Sequence, residues 1–161
     1  MNIYPKHYIP KHLSVKDKTK QLQNLNKSRK LYKKGKYYKR PKVKTFKSKP
    51  SKHVANAKEL YNVDSVVPSK KLVNATKCSM DTLEKIANKG RGAYYSSGSR
   101  PNQTAESWAM ARLASAITGG NSSIVDYNLL EDGCKKNSKA LKMARKTCKK
   151  QIKCKNKTRK I

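Results

Sequence analysis

The chain has 161 residues, with 40 lysines and arginines against 9 acidic residues and a formal net charge of +31. This excess of positive charge lies far outside the ordinary range for globular proteins and predicts an anionic partner. No run of about 18 apolar residues occurs, so no transmembrane helix is expected, and the lysine-rich start lacks the apolar core of a signal peptide. We therefore expect synthesis in the cytoplasm.

Charge divides the chain into three parts. Residues 1–52 contain 18 basic residues and one acidic residue, and residues 134–161 contain 13 basic residues and no acidic one. Residues 53–133 are nearly neutral, with 9 basic and 8 acidic residues. We predict a mainly α fold: a small helical domain of four to five short helices at 53–133, flanked by extended or helical polybasic arms at 1–52 and 134–161.

The N-terminal arm is predicted to contain one helix. Ser14 can cap it and Gly35 can end it, so the helix would run from Val15 to about Lys34. Its narrow apolar stripe would consist of Val15, Leu22, Leu25, Leu31 and Tyr32. The next stretch, "KYYKRPKVKTFKSKP", alternates basic with apolar or β-branched residues, which is typical of an extended strand or ribbon.

The N-terminal arm is richer in tyrosine, proline, leucine and isoleucine than a purely electrostatic tail needs to be. We therefore favour an arm that docks at specific places over a solvated tail. Tyrosines beside lysines can stack on bases or enter protein crevices, and the sequence does not separate these two interpretations. The candidate anchors of the arm are Ile3, Tyr4, Leu22, Leu25, Tyr37, Tyr38 and Phe46.

Three short helices are predicted next. Ser51 opens "KHVANAKELY", which ends before Asn62, and Ser69 caps "KKLVNAT". Ser79 caps "MDTLEKIANK", for which Gly90 is the expected stop.

The second and third of these helices meet at a three-residue turn, as in a helix-turn-helix. Ser79 to Thr82 would then begin a recognition helix, although Asp81 and Glu84 on that face would repel phosphates. We therefore favour a plain helical hairpin over an element that reads DNA. The residues expected to pack across the turn are Leu72, Val73, Thr76, Cys78, Leu83 and Ile86.

The stretch "KGRGAYYSSGSRPNQT", residues 89–104, has neither helical nor strand periodicity and predicts a long ordered loop. Its glycines permit positive φ, and successive backbone N–H groups could bind phosphate or carboxylate. The alternative is that serine hydroxyls satisfy the loop's own backbone while Tyr94 and Tyr95 pack on Trp108. The candidate anion- or partner-binding residues are Arg91, Ser96, Ser97, Ser99, Arg100 and Gln103.

The most regular helix is predicted after this loop. Thr104 caps "AESWAMARLASAIT", and Gly119 and Gly120 follow it. Its apolar stripe would consist of Trp108, Leu113 and Ile117, with Ala109 and Ala116 allowing close packing. For residues 121–132 a further short helix is favoured over a strand.

The C-terminal arm is predicted to form a basic amphipathic helix from about Asn137 to Lys153. Its apolar positions would be Leu141, Ala144, Cys148 and Ile152. Such a helix can bind nucleic acid, an anionic membrane or an acidic protein groove, and the lack of bulky aromatic residues disfavours the membrane.

The cysteines and histidines indicate no metal site, since neither set has ligand spacing. We interpret Cys78, Cys134, Cys148 and Cys154 as reduced thiols, with late oxidation inside a finished particle as the exception. Cys148 and Cys154 should point to different sides of a helix. No cofactor and no catalytic residue are predicted, because the loop serines lack a base: the only histidine of residues 53–133 is His53.

A family resemblance rests on "KGRGAYYSSGSRPNQTAESWAMARLASAITGG" followed by "VDYNLLEDGC". This stretch resembles a family of small proteins of unknown function encoded by large double-stranded DNA viruses and some phages. The resemblance covers roughly Ser51 to Cys134 and leaves the arms outside. It implies a viral origin but transfers no chemistry to any residue.

These observations together predict a non-enzymatic structural protein of a large DNA virus particle. In this interpretation it is a minor capsid or cement component, made in the host cytoplasm, whose basic arms thread between neighbouring capsid proteins. The alternative is a virion-associated protein that binds or condenses viral DNA through its arms and the helical hairpin.

Overall fold

A computed structural model of the protein describes residues 3–151. These residues form one short 3-10 helix and eight α-helices, and they contain no β-strand. The mainly helical fold class is therefore confirmed. In chain order the elements are the 3-10 helix Lys6–Tyr8, α1 Val15–Lys33, α2 Lys52–Tyr61, α3 Lys70–Thr76, α4 Met80–Ser96, α5 Ala105–Ile117, α6 Asn121–Val125, α7 Tyr127–Gly133 and α8 Lys139–Gln151.

The chain divides into two compact units. Unit 1 comprises Met1–Lys49 and Arg91–Trp108, and unit 2 comprises Pro50–Gly90 and Ala109–Ile161. This grouping differs from the predicted division at 52/53 and 133/134. The physical reason for the difference in unit 1 is that the N-terminal arm hydrogen-bonds to residues 94–102, as described below.

Unit 2 is built around one apolar core to which most of its helices contribute. Leu72, Leu83, Ile117, Leu130 and Leu141 are all fully buried in one cluster. Helix α8 packs against α6 and α7, and α2 packs against α3. The core cluster therefore draws on residues from Ala57 to Ala144, 87 positions apart in the chain.

Helix caps account for most of the confirmed boundaries. The hydroxyl oxygens of Ser51, Ser69 and Ser79 accept hydrogen bonds from the backbone N–H three residues further on. Asn62 adopts φ +50° directly after α2. Each cap satisfies an otherwise unpaired N–H of the first turn, so the start of these helices is fixed locally. The prediction of helix over strand for 121–132 is also confirmed.

Helix α4 is longer than predicted, because Gly90 does not end it. A Cβ at Gly90 would lie 2.7 Å from the Cα of Ala109 and 3.2 Å from Cβ of Arg112, both in α5. Glycine at this position therefore allows α4 and α5 to approach closely. The predicted 89–104 loop is correspondingly shorter, since α4 continues to Ser96.

A disulfide joins Cys78, between α3 and α4, to Cys134, at the end of α7. The prediction of reduced thiols is wrong for this pair. The two residues form an isolated antiparallel bridge, flanked by bonds from Ser79 N to the Gly133 carbonyl and from Lys135 N to the Lys77 carbonyl. They therefore occupy a non-hydrogen-bonded position, where facing Cα atoms come closest in an antiparallel pair.

The C-terminal helix follows the predicted pattern in its described part. Helix α8 spans Lys139–Gln151, and Leu141, Ala144 and Cys148 are buried on one face. The Ser138 hydroxyl oxygen caps it by accepting from Leu141 N. Cys148 is also disulfide-bonded, contrary to the prediction, and Cys154 and Ile152 lie outside the described residues.

Unit 1 contains α1, and the boundaries predicted for this helix are confirmed. Ser14 accepts from Asp17 N, and after Lys33 the chain turns through Gly35 at φ +71°. The predicted apolar stripe is wrong except at Leu25, since Val15 is 82% exposed and Leu22 40%. The side chains that α1 buries are Asp17, Gln21, Leu25 and Ser28. Three of these four are polar, and each makes a hydrogen bond within unit 1.

Candidate functional site

The centre of unit 1 is a group that we call the Arg40 cluster: Arg40, Ser28, Tyr94 and Ser99. One guanidinium nitrogen of Arg40 donates to the Tyr94 carbonyl at 2.7 Å and to the Ser28 hydroxyl at 3.0 Å. The other terminal nitrogen donates to the Ser99 hydroxyl at 2.7 Å. The guanidinium carbon lies 3.8 Å from the centre of the Tyr94 ring. Arg40 thus connects the arm to α1 and to the loop after α4.

Within the described residues, the Arg40 guanidinium forms no ion pair with a carboxylate. Burial lowers the pKa of Arg40 from its ordinary value, while nearby tyrosines, Tyr94 first among them, act in the opposite direction. The ring face and the neutral oxygens take the place of a counter-ion. A lysine could not reproduce this arrangement, because it lacks the planar fork of donors.

Asn102 forms a second link between the arm and the loop. Its side-chain oxygen accepts from Val43 N at 2.8 Å, and its side-chain nitrogen donates to the carbonyls of Val43 and Phe46 at 3.1 and 2.8 Å. Its backbone adopts φ +62°, a conformation that asparagine tolerates better than most residues. The segment predicted as an extended strand or ribbon is therefore irregular in the described structure. It hydrogen-bonds to the Asn102 side chain and does not belong to a sheet.

Most of the predicted loop residues form hydrogen bonds or ion pairs with other residues of the protein. Arg91 forms a two-point ion pair with Glu106 at 2.7 and 3.0 Å, and this pairing lowers the pKa of Glu106. The Ser99 hydroxyl is buried between Arg40 and the Arg100 carbonyl. The Gln103 side-chain oxygen accepts from Ser107.

The three remaining loop candidates differ in their surroundings. The Ser96 and Ser97 carbonyls accept hydrogen bonds from the Arg29 guanidinium at 3.2 and 3.3 Å. The Arg100 side chain is exposed. The aromatic packing also differs from the predicted alternative, since the ring that contacts Trp108 belongs to Tyr8, with centroids 6.2 Å apart.

The predicted arm anchors separate into buried and exposed groups. Leu25 is 1% exposed and packs beside Gly98 within unit 1, whereas Ile3 and Tyr37 are 89% and 71% exposed. The Tyr4 and Tyr38 hydroxyls donate to Asn26 and Asn24. Phe46 stacks on His12 at 5.8 Å, and Leu22 is 40% exposed. Six of the seven candidates are thus exposed or half-buried, and Leu25 alone among them is buried.

The carboxylates of unit 1 are both engaged internally. Its two segments contain 19 lysines and arginines but only two acidic residues, Asp17 and Glu106. The buried Asp17 carboxylate accepts from the Thr45 hydroxyl and backbone N–H, and these bonds hold its pKa below the ordinary value. The Glu106 carboxylate forms an ion pair with Arg91. The 19 cationic side chains of unit 1 therefore outnumber its two carboxylates, so most of its exposed lysines have no carboxylate of their own unit to pair with.

Unit 1 also concentrates the aromatic residues. Nine of the eleven tyrosine, phenylalanine and tryptophan residues of the chain lie in its two segments. Lys27 lies over the Tyr38 ring at 4.5 Å, and Arg29 lies over the Tyr4 ring at 4.6 Å. Tyr32, Tyr37 and Tyr95 form a separate cluster at the surface. Cationic and aromatic side chains therefore alternate on this unit.

The predicted hairpin of unit 2 is present, and its facing residues are buried. Leu72, Cys78, Leu83 and Ile86 belong to the core cluster. On the outer side of α4, Asp81 pairs with Lys85 at 2.8 Å. The start of α4 is thus a packed helical end that carries an acidic side chain, which fits a structural hairpin better than a DNA-reading helix.

The sequence analysis missed a buried carboxylate in unit 2. Asp126, between α6 and α7, accepts two hydrogen bonds from Arg112 at 2.8 and 2.9 Å, and Lys89 approaches it to 3.6 Å. Its side chain is fully buried. The spacing of Arg112 and Asp126 gives no local signal, because the pair forms only when α5 and the α6–α7 turn pack together.

The missed residues of unit 1 have one detectable signal. Asp17, Gln21, Leu25 and Ser28 recur at helical spacing, and this row forms the buried face of α1. A row of mostly polar residues at that spacing can mark a face that hydrogen-bonds to a partner segment. Arg40 and Asn102 carry no such signal, since all their side-chain partners except Ser28 lie 54 to 59 residues away.

Two further classes of site are absent from the described part of the chain. Within residues 3–151, no three histidine, cysteine or acidic side chains are grouped so that they could hold a metal ion. In the same residues, every helix is too short or too polar to cross a membrane.

The chain belongs to a family of unknown function (DUF5824), whose model matches residues 5–130. The match includes the N-terminal arm, so the prediction that the resemblance begins near Ser51 is wrong. This extent agrees with the contacts of unit 1, in which the arm and residues 91–108 pack together. Neither a curated protein nor a solved structure matches the chain.

Proposed function

We propose that the protein is a non-enzymatic structural component of a large DNA virus particle, a minor capsid or cement protein that binds acidic surfaces of neighbouring virion proteins. Unit 1 would supply the binding surface and unit 2 a rigid, disulfide-linked body. It would be made in the host cytoplasm and retained in the virion.

The observation that carries the proposal is the missing counter-charge of unit 1. Both of its carboxylates are engaged internally, by Thr45 and by Arg91, while its lysines are almost all exposed. Like charges at this density repel each other and favour a state in which an external anion neutralises them. An acidic protein surface provides such an anion, and charge complementarity would steer the association.

Two further observations support a particle. The resemblance described above is to proteins of large DNA viruses and phages, and the Cys78–Cys134 disulfide suits a protein that persists outside the reducing cytosol.

Particle fractionation tests this proposal. Purified particles are disrupted at about physiological salt, emptied shells are separated from released genome, and the protein is quantified in each fraction. A cement component should stay with the shells at a fixed copy number. Recovery with the genome would contradict the proposal.

Matched charge variants locate the binding surface. Lys30, Lys33 and Lys34, at the C-terminal end of α1, are exposed and are changed together to glutamine. The control changes the exposed Lys52, Lys58 and Lys70 of unit 2 in the same way. Both variants lose three charges. Incorporation into particles should fall several-fold only for the α1 variant, and an equal fall for both would indicate unspecific charge attraction.

Binding or condensation of viral DNA is the second candidate function. The observation that favours it is the alternation of lysine with exposed tyrosine in unit 1, because aromatic rings contact bases as well as protein crevices. A condensing protein would leave the particle with the genome in the same fractionation. Its DNA affinity should fall steeply with salt, in proportion to the phosphates that it neutralises.

A further inference from the structure

Three tyrosines form an exposed aromatic cluster at the C-terminal end of α1, which we call the tyrosine platform: Tyr32, Tyr37 and Tyr95. The Tyr37 ring centre lies 5.1 Å from that of Tyr95 and 6.1 Å from that of Tyr32. The Tyr32 and Tyr95 rings are parallel to within 7°, with centroids 6.5 Å apart. Tyr37 is 71% exposed and Tyr32 is 36% exposed, so ring surface faces the solvent.

The turn after α1 builds this platform. Gly35 adopts φ +71°, and the N–H groups of Gly35 and Lys36 donate to the Tyr32 and Leu31 carbonyls. This helix-ending turn reverses the chain, so that Tyr37 comes back beside Tyr32. Tyr95 approaches from α4, within unit 1. The platform is therefore fixed by backbone hydrogen bonds as well as by contact between the rings.

Cationic side chains surround the platform along the chain. Lys33, Lys34, Lys36 and Lys39 lie between or beside its tyrosines and are exposed. None of the four forms a salt bridge with a carboxylate in the described structure. Burial, Tyr94 and then the Glu106 carboxylate raise the pKa of Tyr95. Both carboxylate oxygens of Glu106 accept hydrogen bonds from Arg91. A ligand at the platform would thus meet positive charge and open aromatic faces.

We propose that the tyrosine platform stacks the bases of single-stranded nucleic acid while the flanking lysines contact its phosphates. Planar rings in a cationic surround are the pattern that binds single strands without reading their sequence. A duplex keeps its base faces stacked inside, so it could use only the lysines. An acidic protein would likewise need the charges but no ring faces. The inference rests on the nucleic-acid binding of the second candidate function and extends it from the double-stranded genome to single strands.

Tyr37→Ala tests the platform in the full-length protein. Because Tyr37 is mostly exposed, the variant should keep the wild-type circular dichroism spectrum. Affinity for a labelled oligothymidylate of about 15 nucleotides, measured by fluorescence anisotropy, should fall roughly tenfold through the loss of one stacking contact. Tyr37→Trp should restore it. A Tyr37→Ala variant that binds the oligothymidylate as tightly as the wild type would overturn the proposal.

Salt dependence separates stacking from charge. Tyr37→Ala should leave the slope of log affinity against log salt unchanged, whereas Lys36→Gln should make the slope shallower by about 0.7 per lost phosphate contact. Duplex DNA and a polyglutamate chain of similar charge should bind both tyrosine variants equally. Equal losses for all three probes would assign the effect to general charge or folding and refute base stacking.

The outcomes also distinguish the platform proposal from the two candidate functions. If Tyr37→Ala has no effect but the protein leaves particles with the genome, nucleic-acid binding stands and the platform is rejected. A different outcome is that the protein stays with emptied shells and that polyglutamate competes with the oligothymidylate more strongly than duplex DNA does. The lysines would then bind an acidic protein, and the platform proposal would fail together with the second candidate function.

Discussion

Unit 2 buries leucine, isoleucine, valine and alanine side chains from most of its helices in one cluster, and a disulfide links two of its turns. Unit 1 buries Asp17, Gln21, Ser28 and Ser99 beside a few apolar residues, and its central side chain is the cation Arg40. Two parts of one chain are thus held together by different kinds of interaction.

The difference affects how each unit should respond to change. Apolar packing depends mainly on volume and tolerates many replacements of similar size. A hydrogen-bonded interior depends on each donor and acceptor, because an unpaired buried polar group costs about 1–3 kcal/mol. Unit 1 should therefore be the more easily broken by conservative substitutions, and unit 2 the more dependent on its covalent link. Trp108, the only tryptophan, lies in unit 1, so its fluorescence reports on that unit separately.

The largest effect is expected from the unit 2 disulfide. Replacing both partners, Cys78→Ala and Cys134→Ala, opens a loop that spans 56 positions. In the chain-entropy model this lowers the free energy of unfolding by about 4 kcal/mol. Urea unfolding followed by far-ultraviolet circular dichroism measures the change.

Reductant provides the control for this prediction. It should destabilise the wild type by a similar amount and the double variant much less, since the double variant retains only the disulfide of Cys148. If the wild type unfolds at the same urea concentration with and without reductant, the contribution assigned to the Cys78–Cys134 link is wrong.

Arg40→Lys should have the next largest effect, although it conserves charge. Lysine can neither donate to Tyr94, Ser28 and Ser99 together nor stack flat on the Tyr94 ring. We expect a loss of about 2 kcal/mol, seen as an earlier urea transition in Trp108 fluorescence. Arg100→Lys, at an exposed position, is the matched control and should change little. Equal behaviour of the two variants would mean that the Arg40 cluster is not a stabilising centre.

Gly98→Ala should destabilise unit 1 by about 2 kcal/mol. The backbone there adopts φ +103°, and an added Cβ would lie 2.8 Å from the buried Leu25 side chain. Gly92→Ala is the control, since Gly92 lies within α4 and its added Cβ would meet nothing closer than 3.7 Å. Alanine should stabilise that helix by up to about 1 kcal/mol. Thermal unfolding should therefore shift in opposite directions for the two variants.

Local signals account for what the sequence predicted well. The starts of α1, α2, α3 and α5 follow from Ser14, Ser51, Ser69 and Thr104, whose side chains cap the first turn with bonds that span three residues. Such bonds are set by neighbours in the sequence, so the sequence reveals them.

Long-range contacts account for what was missed. In the sequence, Gly90 looks like a helix stop. Its actual role is to leave room for Ala109, which packs where a side chain at position 90 would be, and this contact depends on the fold. Cys78 and Cys134 become neighbours only through the fold of unit 2. The Arg40 cluster and the Asn102 side chain likewise join segments more than 50 residues apart. Sequence periodicity does not carry information on such pairs.

The smallest predicted change is in the pH dependence of unit 1. The Thr45 hydroxyl and backbone N–H lower the pKa of Asp17 from its ordinary value of 3.8. A carboxyl with a lowered folded-state pKa contributes stability above its unfolded-state pKa and loses it as the pH falls through the folded-state value. Thr45→Val removes the hydroxyl bond, so the wild type should be more stable than the variant at pH 7.

That difference should shrink as the pH falls below the folded-state pKa of Asp17, because protonation removes the advantage from the wild type too. Urea unfolding of both proteins, followed by Trp108 fluorescence at neutral and acidic pH, measures it. Thr19→Val is the matched control: its hydroxyl donates to the Val15 carbonyl, which does not titrate. A Thr45→Val deficit that stays constant with pH would show that Thr45 acts through packing alone. A deficit that disappears in acid would show that the only carboxylate of the arm is ionised when it accepts the two Thr45 hydrogen bonds, and that this charged form stabilises the arm.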